Sequence, residues 1–288
     1  MTKTVIDVSQ FNGAIDWAKV RSGGVDAAII RAGYRGYGAA GTLVTDPMLK
    51  ANIKAATDAG IPVGVYWLSQ ATSDAEALEE ANYLNNLLVG YKIAYPVYLD
   101  SEYADAKNHN GRGDKLTKAS RTVYGLTFCK AMRDYGHTVG LYCSESWYTA
   151  NIDGAAFARA GFEIWIAKYS STAPSMACDA WQYTSTGKVA GISGNVDLSE
   201  FYVDYALCDD YAAVQARFGL ADNTMAYLQS YKYSADLLHK LAETDLPVAD
   251  DDYRARVQSR FGFSDSTMGY LEAWTWGQDL LKKLAEAE

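Results

Sequence analysis

Histidine and cysteine are both scarce in this chain of 288 residues, and their scarcity removes whole classes of chemistry. The three histidines, His109, His137 and His239, are scattered, so neither a histidine-based metal site nor a Ser-His-Asp triad is easily assembled from them. The four cysteines, Cys129, Cys143, Cys178 and Cys208, form no C-x-x-C pair. Their spacing suits neither zinc nor a disulfide framework, and they read as free thiols. Basic residues are outnumbered, 26 Lys and Arg against 35 Asp and Glu, for a net charge of -9. An acidic surface repels phosphate backbones, which argues against a nucleic-acid partner. No apolar run approaches the length of a bilayer span, so membrane insertion is not expected. No signal peptide is read at the start, where Thr2, Lys3 and Thr4 lead at once into a strand-like run. With thiol, imidazole and phosphate chemistry set aside, carboxylates are the expected reactive groups, and no cofactor or metal is called for.

What is present is a large apolar fraction, 49%, enough for a substantial core. Residues 1–202 read as strands alternating with helices. Strand candidates are Thr4–Val8, Ala27–Ala32, Pro62–Trp67, Ala94–Leu99, Thr138–Cys143, Glu163–Ala167 and Ala180–Thr184. Most are short runs rich in Val, Ile and Tyr, as strands covered on both faces should be. Asp46-Pro47 opens one helix, Ser73-Asp74-Ala75-Glu76 is a capping box for a second, and Thr117–Tyr135 is a third, stopped by Gly136. This α/β pattern predicts an incomplete (β/α) TIM-like barrel over 1–205, degraded in its last third, followed by a small all-α repeat domain. The repeat lies in 210–288. Val214–Glu243 aligns with Val257–Glu286 at an offset of 43, with 17 of 30 positions identical. The two copies are placed at about 210–245 and 252–288, joined through Pro247 and the Asp250-Asp251-Asp252 run. A wall-binding or oligomerising appendage is the expectation for such a module. Stacked repeats usually need about three copies to bury their apolar faces, so exposed apolar surface is expected, with Tyr231, Tyr233, Trp274 and Trp276 as candidates. The Leu237-Leu238-Leu241 and Leu280-Leu281-Leu284 stripes read as the internal core of each copy.

Leu99-Asp100-Ser101-Glu102 closes one predicted strand. Side chains alternate along a strand, so Asp100 and Glu102 point the same way, toward the barrel mouth where such folds place catalysis. Two like charges this close push one pKa up and keep one carboxyl protonated near neutrality, as a general acid requires. A bare D-x-E is common, and two solvated loop acids are the ordinary alternative. Asp7 lies inside an apolar strand, where an acid is costly unless partnered or used; Asp197, in Asn195-Val196-Asp197, reads alone as a turn residue. Aromatics add to this. Tyr (22) and Trp (7) together far outnumber Phe (8), and their flat apolar face with a polar edge suits sugar rings. Tyr34, Tyr66, Trp67, Tyr142, Trp165, Tyr169 and Trp181 all sit at predicted strand ends; singly each reads as core, together they favour a carbohydrate cleft.

The blocks Asp7–Trp17, Ala28–Tyr34, Gly64–Trp67, Tyr98–Glu102, Gly140–Tyr142, Ile164–Tyr169 and Trp181–Tyr183 with Val196–Leu198 resemble, in order, the family 25 glycoside hydrolases, the Chalaropsis-type lysozymes of phage endolysins and bacterial autolysins. Trp67 stands where many members carry a histidine after the tyrosine. The resemblance implies an incomplete β/α barrel and hydrolysis of the β-1,4 bond from N-acetylmuramic acid to N-acetylglucosamine in bacterial peptidoglycan. It places Glu102 at the general-acid position, Asp100 at its partner, and Asp7 and Asp197 at the other two cleft acids. Either Asp100 orients the substrate's own acetamido group or one of the acids serves as base for a water. An endolysin made in the host cytoplasm and acting on the wall after release is the expectation. A bacterial autolysin, a hydrolase of another amino-sugar glycan and a non-catalytic glycan-binding barrel are the alternatives.

Overall fold

The computed structural model describes residues 2–205, 213–215, 217–229, 237–238, 240–241, 253–273 and 277–286. Contacts divide the chain into two compact units, Met1–Asp204 and Tyr205–Glu288.

The first unit is a closed eight-stranded barrel. Strands β1 (Lys3–Val8), β2 (Ala27–Arg35), β4 (Val63–Leu68), β5 (Val97–Asp100), β6 (Val139–Ser144), β7 (Glu163–Ala167) and β8 (Ala180–Gly187) run parallel in that order. β9 (Val196–Phe201) closes the ring, antiparallel to both β8 and β1. A short strand, β3 (Leu43–Thr45), flanks β2 outside the ring. Helices α1 (Trp17–Ser22), α2 (Leu49–Asp58), α3 (Asp74–Leu88), α4 (Lys118–Asp134), α5 (Glu145–Ala150) and α6 (Gly154–Arg159) fill the crossovers up to β7. No helix joins β7 to β8 or β8 to β9, so the barrel is incomplete in its helical layer rather than in its strands.

Local sequence accounts for the helix starts. The Ser73 hydroxyl accepts from Glu76 N at the head of α3, and Thr117 from Ser120 N at the head of α4. Glu76 does not close the capping box; its carboxylate turns to Thr72 and Arg112. Asp46 starts α2 two residues later than the sequence suggests, accepting from Met48 N at 2.8 Å. β9 and β3 escape the sequence reading. The inward face of β9 carries Asp197 and Ser199, so its alternation is polar toward the barrel, the reverse of an ordinary half-buried strand.

Two layers of apolar packing result. Outside the ring, Ile6, Ile30, Val65, Trp67, Leu99, Leu141 and Ile166 meet the helices. Inside, Tyr98, Trp165 and Phe201 pack ring to ring at 5.0–6.2 Å and plug the barrel below its mouth. Tyr98 fits only because β6 offers Gly140 beside it. A Cβ there would overlap the Tyr98 ring and come within 2.7 Å of the Glu163 carbonyl oxygen.

In the second unit the described helices are α7 (Asp222–Gln229), α8 (Tyr253–Phe261), α9 (Asp265–Glu272) and α10 (Gly277–Glu286). The repeat appears here as pairs of equivalent contacts. Arg217 donates to Leu241 O and Arg260 to Leu284 O; Gln215 donates to Asp222 and Gln258 to Asp265. The two copies also clasp each other. Tyr227 donates its hydroxyl to Tyr270 O, Tyr270 donates its own to Tyr227 O, and the rings stack at 4.9 Å. The leucine stripes of both copies lie in one shared cluster with Val214, Met225, Val257 and Met268, rather than in two separate cores. Two copies thus bury each other's apolar faces, where stacking alone was expected to need a third. Tyr231, Tyr233, Trp274, Trp276 and the acidic joint lie outside the described residues.

Gly140→Ala is expected to destabilise the barrel by about 1–3 kcal/mol through overpacking against Tyr98, read as a lower urea midpoint at unchanged slope. An unaltered midpoint would show that the plug has room to shift.

Candidate active site

Four carboxyls meet at the carboxyl-end mouth of the barrel. Asp7 is near the end of β1, Asp100 ends β5, Glu102 follows two residues on, and Asp197 lies at the start of the antiparallel β9. Asp7 and Asp197 are direct cross-strand partners, so their side chains stand side by side on the inner face. A cavity of about 190 Å³ is lined by all four acids together with Tyr66, Tyr142, Trp165, Tyr169 and Gln182. Eight of the eleven residues singled out from sequence therefore share one wall. Three do not line it. Trp67 is fully buried in the layer between strands and helices, ring against Tyr83. Trp181 alternates away from Gln182 and donates to Lys168 O. Tyr34 packs with Tyr37 beside the Arg31 guanidinium.

Burial governs the titration of this cluster. Asp100 is 4% exposed, and its Oδ1 has no hydrogen-bond partner. Loss of solvation raises its pKa well above the ordinary carboxylate value, the charges of Glu102 and Asp7 raise it further, and Arg31 opposes them. Asp7 is likewise raised, by burial first and Asp197 second, while the hydrogen bond from Gln182 works the other way. Glu102 stands at the mouth, open to solvent on one side and crowded by the cavity walls on the other. Desolvation by the cavity walls on its crowded side, with the Asp197 charge second, brings its carboxyl to about 7. The D-x-E spacing suggests that Asp100 is the main charge acting on Glu102; across the barrel, Asp197 is. Asp197 itself is raised by burial. Near neutral pH the cluster therefore keeps protons, with a carboxylic acid and a carboxylate available side by side.

Sequence reading misses the residues that hold this arrangement. Gln182 accepts from the Tyr142 and Tyr169 hydroxyls at 2.8 and 3.1 Å and donates to Asp7 Oδ2 at 2.8 Å. Arg31 donates through Nε to Asp46 at 2.7 Å, and its guanidinium lies 4.8 Å from the Phe11 ring. The segment after Glu102 is pinned by Asp114, which accepts from the backbone of Ala104, Asp105 and Gly111. Arg112 pairs with Glu76, and Ser101 accepts from Trp147 Nε1. Inward alternation from Trp181 would have marked Gln182; nothing local marks Asp114. Among the described residues, no three His, Cys, Asp or Glu side chains are grouped as a metal-ligand set.

A family model described as glycosyl hydrolases family 25 matches residues 6–192. Lysozyme M1 of Streptomyces globisporus is 29% identical over 211 residues, covering 68% of this chain and 66% of that protein. The autolytic lysozyme of Clostridium acetobutylicum is 26% identical over 198 residues, covering 68% of this chain and 55% of that one. Among solved structures, the modular autolysin LytC of Streptococcus pneumoniae in complex with a synthetic peptidoglycan ligand superposes with a TM-score of 0.60 at 27% identity. That match covers 70% of this chain and 47% of the autolysin. The chain thus spans about half to two thirds of the length of these relatives.

A carboxyl whose folded pKa is raised contributes stability that is present below its unfolded pKa and lost as pH rises through the folded one. Asp100→Asn removes that loss. The variant should melt at the same temperature as wild type near pH 3, below the ordinary aspartate pKa of 3.8, and higher than wild type at pH 8. A variant less stable than wild type at pH 8 would mean that the ionised carboxylate is satisfied in the fold.

Proposed function

The chain belongs to glycosyl hydrolases family 25, and on that premise we propose that it is an endolysin-type muramidase. It would cleave the β-1,4 bond between N-acetylmuramic acid and N-acetylglucosamine in bacterial peptidoglycan. The observation that carries this reading is the pairing of Glu102, a mouth carboxyl raised to about 7, with a buried Asp100 whose Oδ1 has no partner. Glu102 serves as general acid, delivering its proton to the leaving glycosidic oxygen. Asp100 accepts from the N–H of the substrate's 2-acetamido group, which fills its open acceptor and turns the acetamido oxygen toward the anomeric carbon. Asp7 and Asp197 supply the negative field that stabilises positive charge developing on the sugar ring. Tyr66, Tyr142, Trp165 and Tyr169 offer ring faces and hydroxyl edges to the glycan.

For the second unit we propose wall binding, with self-association as the competing role. Its two copies share one core, so a binding face would be presented twice, related by the same clasp that joins Tyr227 to Tyr270.

Glu102→Gln keeps the shape and removes the donor. Clearance of a cell-wall suspension should fall by about 10²-fold or more, with the circular dichroism melt retained; near-normal clearance by folded variant would refute the assignment. Removing residues 206–288 should leave cleavage of soluble fragments intact and slow the lysis of whole cells. Equal lysis by both forms, each monomeric by light scattering, would leave the second unit with neither role.

A further inference from the structure

We propose that Gln182 is the positioning residue of the acid cluster: its amide nitrogen holds Asp7 as a hydrogen-bond acceptor, and the hydroxyls of Tyr142 and Tyr169 lock the amide in that orientation. For its kinetic consequence this rests on the hydrolase reading above; for its geometry it does not.

Gln182 is 2% exposed, on the inner face of β8. Every polar atom of its amide end is engaged on the cavity side. Oε1 receives Tyr142 from β6 and Tyr169 from the segment after β7, and Nε2 reaches Asp7 on β1. A hydroxyl can donate or accept, so the tyrosines alone would tolerate either orientation of the amide. Asp7 decides. With Asp7 ionised, a flipped amide would set a carbonyl oxygen against its carboxylate, whereas the observed one satisfies all three contacts at once. Asp7 in turn faces Asp197 on β9, Glu102 and Asp100 at the end of β5, and Tyr66 on β4. Three are carboxyls, and the fourth is a phenol whose pKa burial raises well above its ordinary value. The neighbouring cation, Arg31 on β2, donates through Nε to Asp46, leaves a buried Nη2 without a partner, and acts by its charge on Asp100. Gln182, with the backbone N–H of Asp7 itself, therefore opposes the burial and the neighbouring acids that raise the Asp7 carboxyl.

The arrangement also ties the rim to the floor. Tyr169 is 60% exposed at the mouth, yet its hydroxyl ends on the same oxygen that fixes the amide against Asp7. A glycan resting on the Tyr169 ring leaves that hydroxyl in place, and Asp7 stays an acceptor while substrate is bound.

The test is a ¹³C-carboxyl NMR titration of the full chain labelled at aspartate, with the Asp7 resonance assigned by its loss in Asp7→Asn. In Gln182→Leu the Asp7 midpoint should rise by about one pH unit, the size of one hydrogen bond to a charged group. In Tyr142→Phe/Tyr169→Phe, where the amide survives without its anchors, it should rise by less. Against cell wall, the limb of the kcat/KM profile that reports Asp7 should move up with its midpoint. If Gln182→Leu does not fold, the double tyrosine variant carries the test. A midpoint that stays put in the folded variants overturns the proposal, as does a lower rate with that limb in place, the mark of a merely structural residue. A shifted midpoint in a protein that never hydrolyses wall would keep the positioning role and remove the muramidase instead.

Discussion

Four carboxyls share the mouth of one barrel, and the cross-strand pairing of Asp7 with Asp197 is the constraint around which the rest is arranged. Like charges opposite each other in an antiparallel pair are destabilising, and here the pair is placed where water is partly excluded. The fold answers in two ways. It lets the acids keep protons, as the raised values of Asp7, Asp100 and Glu102 show. It also surrounds them with donors anchored from behind: Gln182 by two tyrosines, Arg31 by Asp46. The aromatic plug of Tyr98, Trp165 and Phe201 then keeps the cluster at the mouth by filling the space beneath it. Stability is given up at neutral pH in return for a site that holds an acid and a base form together.

The antiparallel last strand makes this possible. A parallel strand would carry its carboxyl end to the mouth; β9 brings its amino end there, so Asp197 arrives opposite Asp7 with a register fixed by both neighbours. The same reversal hid the strand. The parallel strands announce themselves as Val- and Ile-rich runs because both their faces are covered. In Val196–Phe201 the inward positions are Asp, Ser and Phe, and the Ser199 hydroxyl is occupied by Trp165 Nε1. Local pattern could not show that these polar groups point into a barrel.

Much of the site was legible for a complementary reason. Asp100 and Glu102 end a strand whose alternation fixes their common side, and the order of strands around a barrel then brings Asp7 near them without long-range information. What remained hidden is settled by strand faces and by distant partners. Trp67 and Trp181 sit one residue from inward-facing Tyr66 and Gln182, so each belongs to the opposite face. Asp114 holds the Glu102 segment from twelve residues away by accepting three backbone N–H groups. In the second unit the duplication was plain in the sequence, but its physical meaning was not. Two copies suffice because they share one core and exchange tyrosine hydroxyls, a reciprocity that only the paired three-dimensional arrangement reveals.

The central claim is chemical, that this cluster cuts the glycan strand on the muramic acid side. Digestion of purified peptidoglycan, followed by borohydride reduction and analysis of the reduced amino sugars, measures it directly. The account predicts new reduced muramic acid, appearing with wild-type protein and absent with Glu102→Gln. Reduced glucosamine in its place, or no new reducing ends from folded wild-type protein, would contradict it.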